Sequence, residues 1–140
     1  AGPAGGSVSI RPAIGGGTKR CPVSQHCMEH VPHDPSGDTE AVEGVHLAQL
    51  AAGAEMSVQH FSIEPGATVP AHDHHHEQAG YITAGALTFV VGDGEEVVCE
   101  AGDSYVLAGE EVHGAENRGD ERVEGVDSFS PPRTNPDWQE

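Results

Sequence analysis

Residues 69–85 read VPAHDHHHEQAGYITAG, with histidine at 72, 74, 75 and 76 and Glu-Gln directly after them. In an extended chain side chains alternate between faces, so His72 and His74 share one face and His75 takes the other. Neutral imidazole nitrogen is a common ligand of Zn, Fe, Ni and Cu, and two imidazoles on one face make half of a metal site. Gln78 stands four residues beyond His74, where a returning strand can bring an amide oxygen to the same centre. A fourth donor must come from elsewhere, and His113 in EEVHGAEN is the one histidine after position 76. The candidate ligands are therefore His72, His74, Gln78 and His113. The plainer reading of the tract is a solvated His-rich loop that takes up metal adventitiously. It suits His75 and His76, while His46 and His60 read as core or surface histidines.

Such a site needs strands to carry it, and from Val45 onward the sequence supplies them. Short apolar runs (VHLAQL, MSVQHFSI, ATVPAH, AGYITA, ALTFVV, EVVCE, SYVLA, EVHGAEN and RVEGVDSF) alternate with turn punctuation such as EPG, GDG, EAGD and NRGDE. No segment keeps a long helical apolar period. Parallel pairs need crossovers of about a dozen residues or more, which this spacing does not leave. The fold class is all-β and antiparallel, with a double-sheet jelly roll as the expected closure.

The residues now carry a resemblance. Gly66-x5-His72-x-His74-x3-Gln78-x6-Gly85 resembles the first motif of the cupin superfamily, with Gln where many cupins have Glu, and Gly102-x10-His113-x3-Asn117 resembles the second. Ala108 and Glu110 stand where that second motif often has Pro and Gly. The resemblance implies a cupin double-stranded β-helix, that is, a jelly-roll barrel. A divalent transition metal (Zn, Ni, Fe, Mn or Cu) would sit inside it. Three imidazoles and a neutral amide would leave such an ion its full charge, making it a stronger Lewis acid than a carboxylate-bound one.

A closer likeness, carried by HDHHHEQAGYITAGALTFVVGDGEEVVCEAGDSYVLAGEEVHGAEN and VDSFSPPR, is to small single-domain cupins of the pectin-degradation, KdgF-like type. These linearise 4,5-unsaturated uronates. His75 replaces the Pro of their His-x-His-Pro-His-Glu-Gln signature, whereas Asp127, Phe129 and Arg133 match their last strand. The likeness makes Asp127 a catalytic proton shuttle, Arg133 a clamp for a substrate carboxylate, and Phe129 a pocket wall. Tyr81 and Tyr105 are further pocket candidates. From the residues alone, Asp127 equally suits a turn cap, Arg133 a surface charge, and the three aromatic residues core packing.

Cupins include isomerases, dioxygenases, lyases and binding modules, so the fold leaves the chemistry open. The leading expectation is a metal-dependent enzyme that transfers protons and opens a ring on a small, oxygen-rich, carboxylate-bearing substrate such as an unsaturated uronate. The alternatives are an Fe or Cu dioxygenase and a non-catalytic binding or assembly subunit. A homodimer is expected by analogy with small cupins.

Composition narrows the partners. Among 140 residues, 23 are acidic and 6 basic, for a net charge of −17. That field repels phosphate backbones and anionic lipid, which argues against nucleic acid and membrane partners. It suits a halophile's cytoplasm, where salt screens the self-repulsion, with an ordinary acidic mesophilic protein as the alternative. No run of eighteen apolar residues occurs, and the opening AGPAGGSVSI lacks the pattern of a secretion signal. With three cysteines, Cys21, Cys27 and Cys99, reduced thiols in the cytoplasm are expected. Residues 1–44 read as an irregular Gly/Pro-rich arm with one short strand at Ser7 to Arg11, residues 45–134 as the barrel, and residues 135–140 as a tail whose Trp138 covers a barrel face or a neighbour. Within the arm, Cys21-x5-Cys27-x2-His30-x2-His33 loosely suggests a zinc site but lacks a CxxC pair. Ordinary thiols and solvated imidazoles are the alternative.

Overall fold

The computed structural model describes residues 28–134. The strand expected at Ser7 to Arg11, Cys21, Cys27 and Trp138 lie outside them. The described residues form ten strands: β1 Thr39–Val42, β2 Val45–Ala52, β3 Ser57–Ile63, β4 Thr68–His72, β5 Glu77–Ala84, β6 Ala86–Val91, β7 Glu95–Glu100, β8 Ser104–Leu107, β9 His113–Glu116 and β10 Val123–Ser130. They build a six-stranded sheet in the order β1-β2-β3-β10-β5-β8 and a four-stranded sheet in the order β4-β9-β6-β7. Every pairing is antiparallel. Each apolar run read from the sequence became a strand. Among the described residues there is no α-helix, and no helix long and apolar enough to cross a membrane.

Period-two patterning sets the two faces. In β10 burial alternates, with Val123, Gly125, Asp127 and Phe129 inward. In β3, Gln59, Phe61 and Ile63 turn inward beside Ser57. From the four-stranded sheet Leu87, Phe89 and Ala115 meet them, and Ile82 and Leu107 complete the contiguous apolar cluster. Each large aliphatic or aromatic side chain so buried contributes about 1.5–3 kcal/mol relative to exposure.

The described N-terminal stretch is more ordered than its composition suggests. Asp34 caps a single 3-10 turn at Pro35–Gly37 by accepting from the Ser36 amide, and β1 then pairs with β2 inside the stretch read as irregular. TEAV carries too few apolar residues to announce a strand, and the edge of β2 organises it. A second ordering device sits at the end of β9. The Asn117 side chain, 2% exposed, donates to the Ile63 and Glu121 carbonyls at 3.0 and 2.7 Å and accepts from the Gly119 amide at 3.1 Å. Its backbone bonds Gly66 and Ala67, so one residue ties β3, β4 and the turn before β10.

Candidate functional site

β4 ends at His72, which stands opposite His113 on β9, and the two ring centroids are 4.5 Å apart. His74 follows in the turn to β5, 5.7 Å from His72 and 5.1 Å from His113. One nitrogen of each ring lies within 4.8 Å of the other two. The Nδ1 atoms face backbone carbonyls: His72 with Pro70 at 2.8 Å, His74 with His76 at 3.1 Å, and His113 with Glu111 at 2.9 Å. A carbonyl only accepts, so each Nδ1 keeps the proton and each Nε2 presents its lone pair. Burial pushes His74 down to about 4 and His113 below the ordinary imidazole range. Both are neutral near pH 7, as metal ligands must be.

The fourth donor tests the fit of a cation. His74 Nε2 lies 3.1 Å from Gln78 Oε1, while the Gln78 amide hydrogen-bonds the Asp127 carboxylate. A carboxylate takes the NH₂ end, which leaves the amide oxygen toward His74. With Nδ1 protonated, the atoms facing each other at 3.1 Å are both acceptors. That separation matches two ligands on one ion, because bonds of about 2.0–2.1 Å put neighbouring donors roughly 3 Å apart. His113 Nε2 is likewise buried without a hydrogen-bond partner among the described residues. The four residues fit a divalent cation.

Behind them lies a hydrogen-bonded tyrosine–carboxyl pair. Asp127 on β10, Gly80 on β5 and Tyr105 on β8 are register partners across three adjacent strands. The Tyr105 side chain crosses Gly80, and its hydroxyl donates to Asp127 Oδ1. A methyl group at position 80 would overlap both the tyrosine hydroxyl end and that carboxylate oxygen. Burial pushes Asp127 up to about 6, against the opposing pull of the Tyr105 and Gln78 hydrogen bonds and the Arg133 charge. Burial, with the Asp127 charge, raises the Tyr105 phenol, which remains a donor. The pair opens onto a cavity of about 860 Å³ whose apolar wall includes Leu47, Phe61, Leu87 and Phe89.

Phe129, 1% exposed, presents its ring to His74 at 5.7 Å. The Arg133 guanidinium carbon lies 5.3 Å from the Phe129 centroid, and Arg133 also lines the cavity. Its backbone amide donates to Ser57 Oγ at 2.9 Å, which holds the segment after Pro131 and Pro132 against β3. The structure thus gathers His72, His74, Gln78, His113, Tyr105, Asp127, Phe129 and Arg133 at one cavity.

Tyr81 is the exception and a correction. It is 46% exposed and absent from the cavity wall, because Gln78, Gly80 and Ile82 occupy the inward phase of β5 and period two sends Tyr81 outward. His76 departs from expectation the other way. It is buried, with its ring 5.3 Å from His74 and 6.1 Å from Phe129. It lies in a turn, where strand alternation has no authority. Gln59 and Gly80 also went unread. Gln59 lines the cavity as the register partner of Asp127, and its inward phase in SVQHFSI was the available signal.

Comparison with known proteins agrees with this architecture. The cupin domain family matches residues 59–129. KdgF from a Halomonas species superposes with a TM-score of 0.69 at 24% identity, over 78% of this chain and 98% of that one. An RmlC-like cupin from Shewanella frigidimarina gives 0.63 at 28% identity, over 70% and 86%. A protein described as a predicted oxalate decarboxylase from Thermotoga maritima gives 0.56 at 25% identity, over 61% and 79%. No curated protein matches the sequence. With His72, His74 and His113 brought together between two antiparallel sheets and the family match spanning β3 to β10, this chain belongs to the cupin family.

Proposed function

We propose that this cupin is a metal-dependent enzyme that moves protons on a small, oxygen-rich, carboxylate-bearing substrate, with a 4,5-unsaturated uronate as the specific candidate. The observation that carries the reading is the Gln78 side chain, which spans from His74 to Asp127. It joins a cation-fitting imidazole cluster to a buried carboxyl poised near 6, the range in which a carboxyl both takes and returns a proton near neutral pH.

His72, His74, Gln78 and His113 would hold the ion. When bound, it supplies Lewis acidity toward a substrate oxygen. The protein's own groups divide the remaining work. Arg133 at the cavity wall binds the substrate carboxylate through its planar fork. Phe129 and the apolar wall exclude water from the reacting face. Tyr105 fixes the Asp127 carboxyl by its hydroxyl, and that carboxyl exchanges the proton. For an unsaturated uronate the balance is simple. The anomeric hydroxyl loses its proton, the bond between C1 and the ring oxygen breaks as C1 becomes a carbonyl, and the released enolate takes a proton at C4. One proton leaves and one returns, so a single carboxyl suffices for an overall isomerisation.

The test is turnover of unsaturated galacturonate and guluronate, followed by loss of the ultraviolet absorbance of their conjugated double bond. Asp127→Asn is expected to keep bound metal and lose turnover by two orders of magnitude or more, and His72→Ala to lose metal. Metal-loaded protein that leaves both sugars untouched removes the uronate assignment, and an Asp127→Asn variant of full activity removes the proton role.

A further inference from the structure

Outside the barrel, on the opposite face of β3, a second group of metal-competent side chains comes together. Phe61 and Gln59 point into the cavity, so His60 between them points outward. The segment before β1 crosses this face and lays the His33 ring on His60, with centroids 4.2 Å apart and planes tilted by 33°. The Pro35–Gly37 turn then brings Asp38 back, so that Asp38 Oδ1 lies 2.8 Å from His33 Nε2. One donor atom from each of His33, Asp38 and His60 lies within 4.8 Å of the other two. The group is sheltered: the Asp38 side chain is 8% exposed and that of His33 is 24%. His60 Nδ1 is buried and makes no hydrogen bond among the described residues.

We propose that His33, Asp38 and His60 form a second metal site, separate from the interior cluster, for a divalent cation of the zinc class. Two imidazoles and one carboxylate are a donor set suited to Zn and to Fe, Ni or Cu, and unsuited to Ca or Mg, which take oxygen ligands. Glu124 on β10 adds negative charge near His60, and the chain as a whole is strongly acidic. Binding requires His33 Nε2 to turn from hydrogen-bond partner of Asp38 to ligand, which a neutral imidazole does by carrying its proton on Nδ1. Two ligands come from the lead-in segment and one from β3, hence the ion fastens residues 33–38 to the outer face of the six-stranded sheet. Asp38 and His60 are partners of His33 that sequence spacing does not expose; Cys21 and Cys27 lie outside the described residues.

The experiment is a zinc titration of chelator-treated, full-length protein by calorimetry. It uses the His72→Ala/His113→Ala background, so that failure of the interior site cannot be mistaken for failure of this one. One strong equivalent is expected to remain. Adding Asp38→Asn or His60→Ala should weaken it by at least tenfold, while His30→Ala should leave it unchanged. If the background variant misfolds, the same stoichiometry is read in otherwise wild-type protein, where Asp38→Asn should lower two equivalents to one. No strong zinc in the folded background, or stoichiometry indifferent to both Asp38→Asn and His60→Ala, overturns the proposal.

Discussion

Replacing Gly80 by Ala isolates the contact on which the Asp127 site depends. Gly80 is not in the left-handed region, so alanine fits its backbone and the cost is steric. The added methyl would overlap the Tyr105 hydroxyl end and Asp127 Oδ1 together, and neither has room to move. The tyrosine is half-buried with its ring 4.5 Å from Phe89, and Asp127 is held between its two strand neighbours. The ring must lift, which breaks a hydrogen bond to a buried carboxylate worth about 1.5–3 kcal/mol. Overpacking adds about 1–3 kcal/mol. Stiffening of the unfolded chain returns about 0.4–1 kcal/mol. The net loss is about 3 kcal/mol. In urea, with a slope of about 1.5 kcal/mol/M for a domain of this size, the midpoint should fall by about 2 M in metal-free protein. Tyr105→Phe, which keeps the ring and deletes the hydroxyl, should cost about 2 kcal/mol. The double variant should fall short of the sum by roughly that amount, because the bond can be lost once. A Gly80→Ala protein within about 0.5 kcal/mol of wild type, or strict additivity, refutes the crossing of Tyr105 over Gly80 as the support of Asp127.

Gln78→Glu should keep the ion but destabilise the metal-free chain by about 2 kcal/mol in urea at pH 8, because a donor to buried Asp127 becomes a like charge. Equal stability and an unchanged rate would make the neutral amide incidental. Asn117→Ala removes one buried and two part-buried hydrogen bonds and should cost about 3 kcal/mol, with a cost below about 1 kcal/mol contradicting its role as the tie between strands. Raising NaCl from about 0.1 to 1 M shortens the screening length from about 10 to 3 Å and should raise the thermal midpoint; a midpoint indifferent to salt would remove self-repulsion as a force in this acidic fold.

Much of the fold was legible because strand alternation and turn residues repeat along the chain. Each apolar run from Val45 onward became a strand, and the outward turn of Tyr81 follows from the same alternation once Gln78 is set inward. Alternation failed where the chain leaves the strand. β4 stops at His72, so His74 reaches the cluster from a turn, and His76, two residues further, folds beneath Phe129 instead of into solvent. β1 was hidden for a different reason: its order comes from the open edge of β2, a property of the partner strand.

The residues least visible in the sequence are those whose meaning lies across the sheet. Asp127, Gly80 and Tyr105 are separated along the chain, yet the order β10-β5-β8 makes them immediate neighbours. A glycine within AGYITA carries no mark that an aromatic side chain will lie across it. Gln78 shows the same limit in chemical form. Its spacing from His74 points to a metal ligand, whereas the reason for an amide over a carboxylate lies on β10. An acid at position 78 would face Asp127 as a second buried anion, and an amide instead offers oxygen to the cation and N–H to the acid. In the proposed reading the identity of that side chain would be fixed jointly by a cation on one side and a proton-carrying Asp127 on the other, which would couple the imidazole cluster to Asp127 through a single residue.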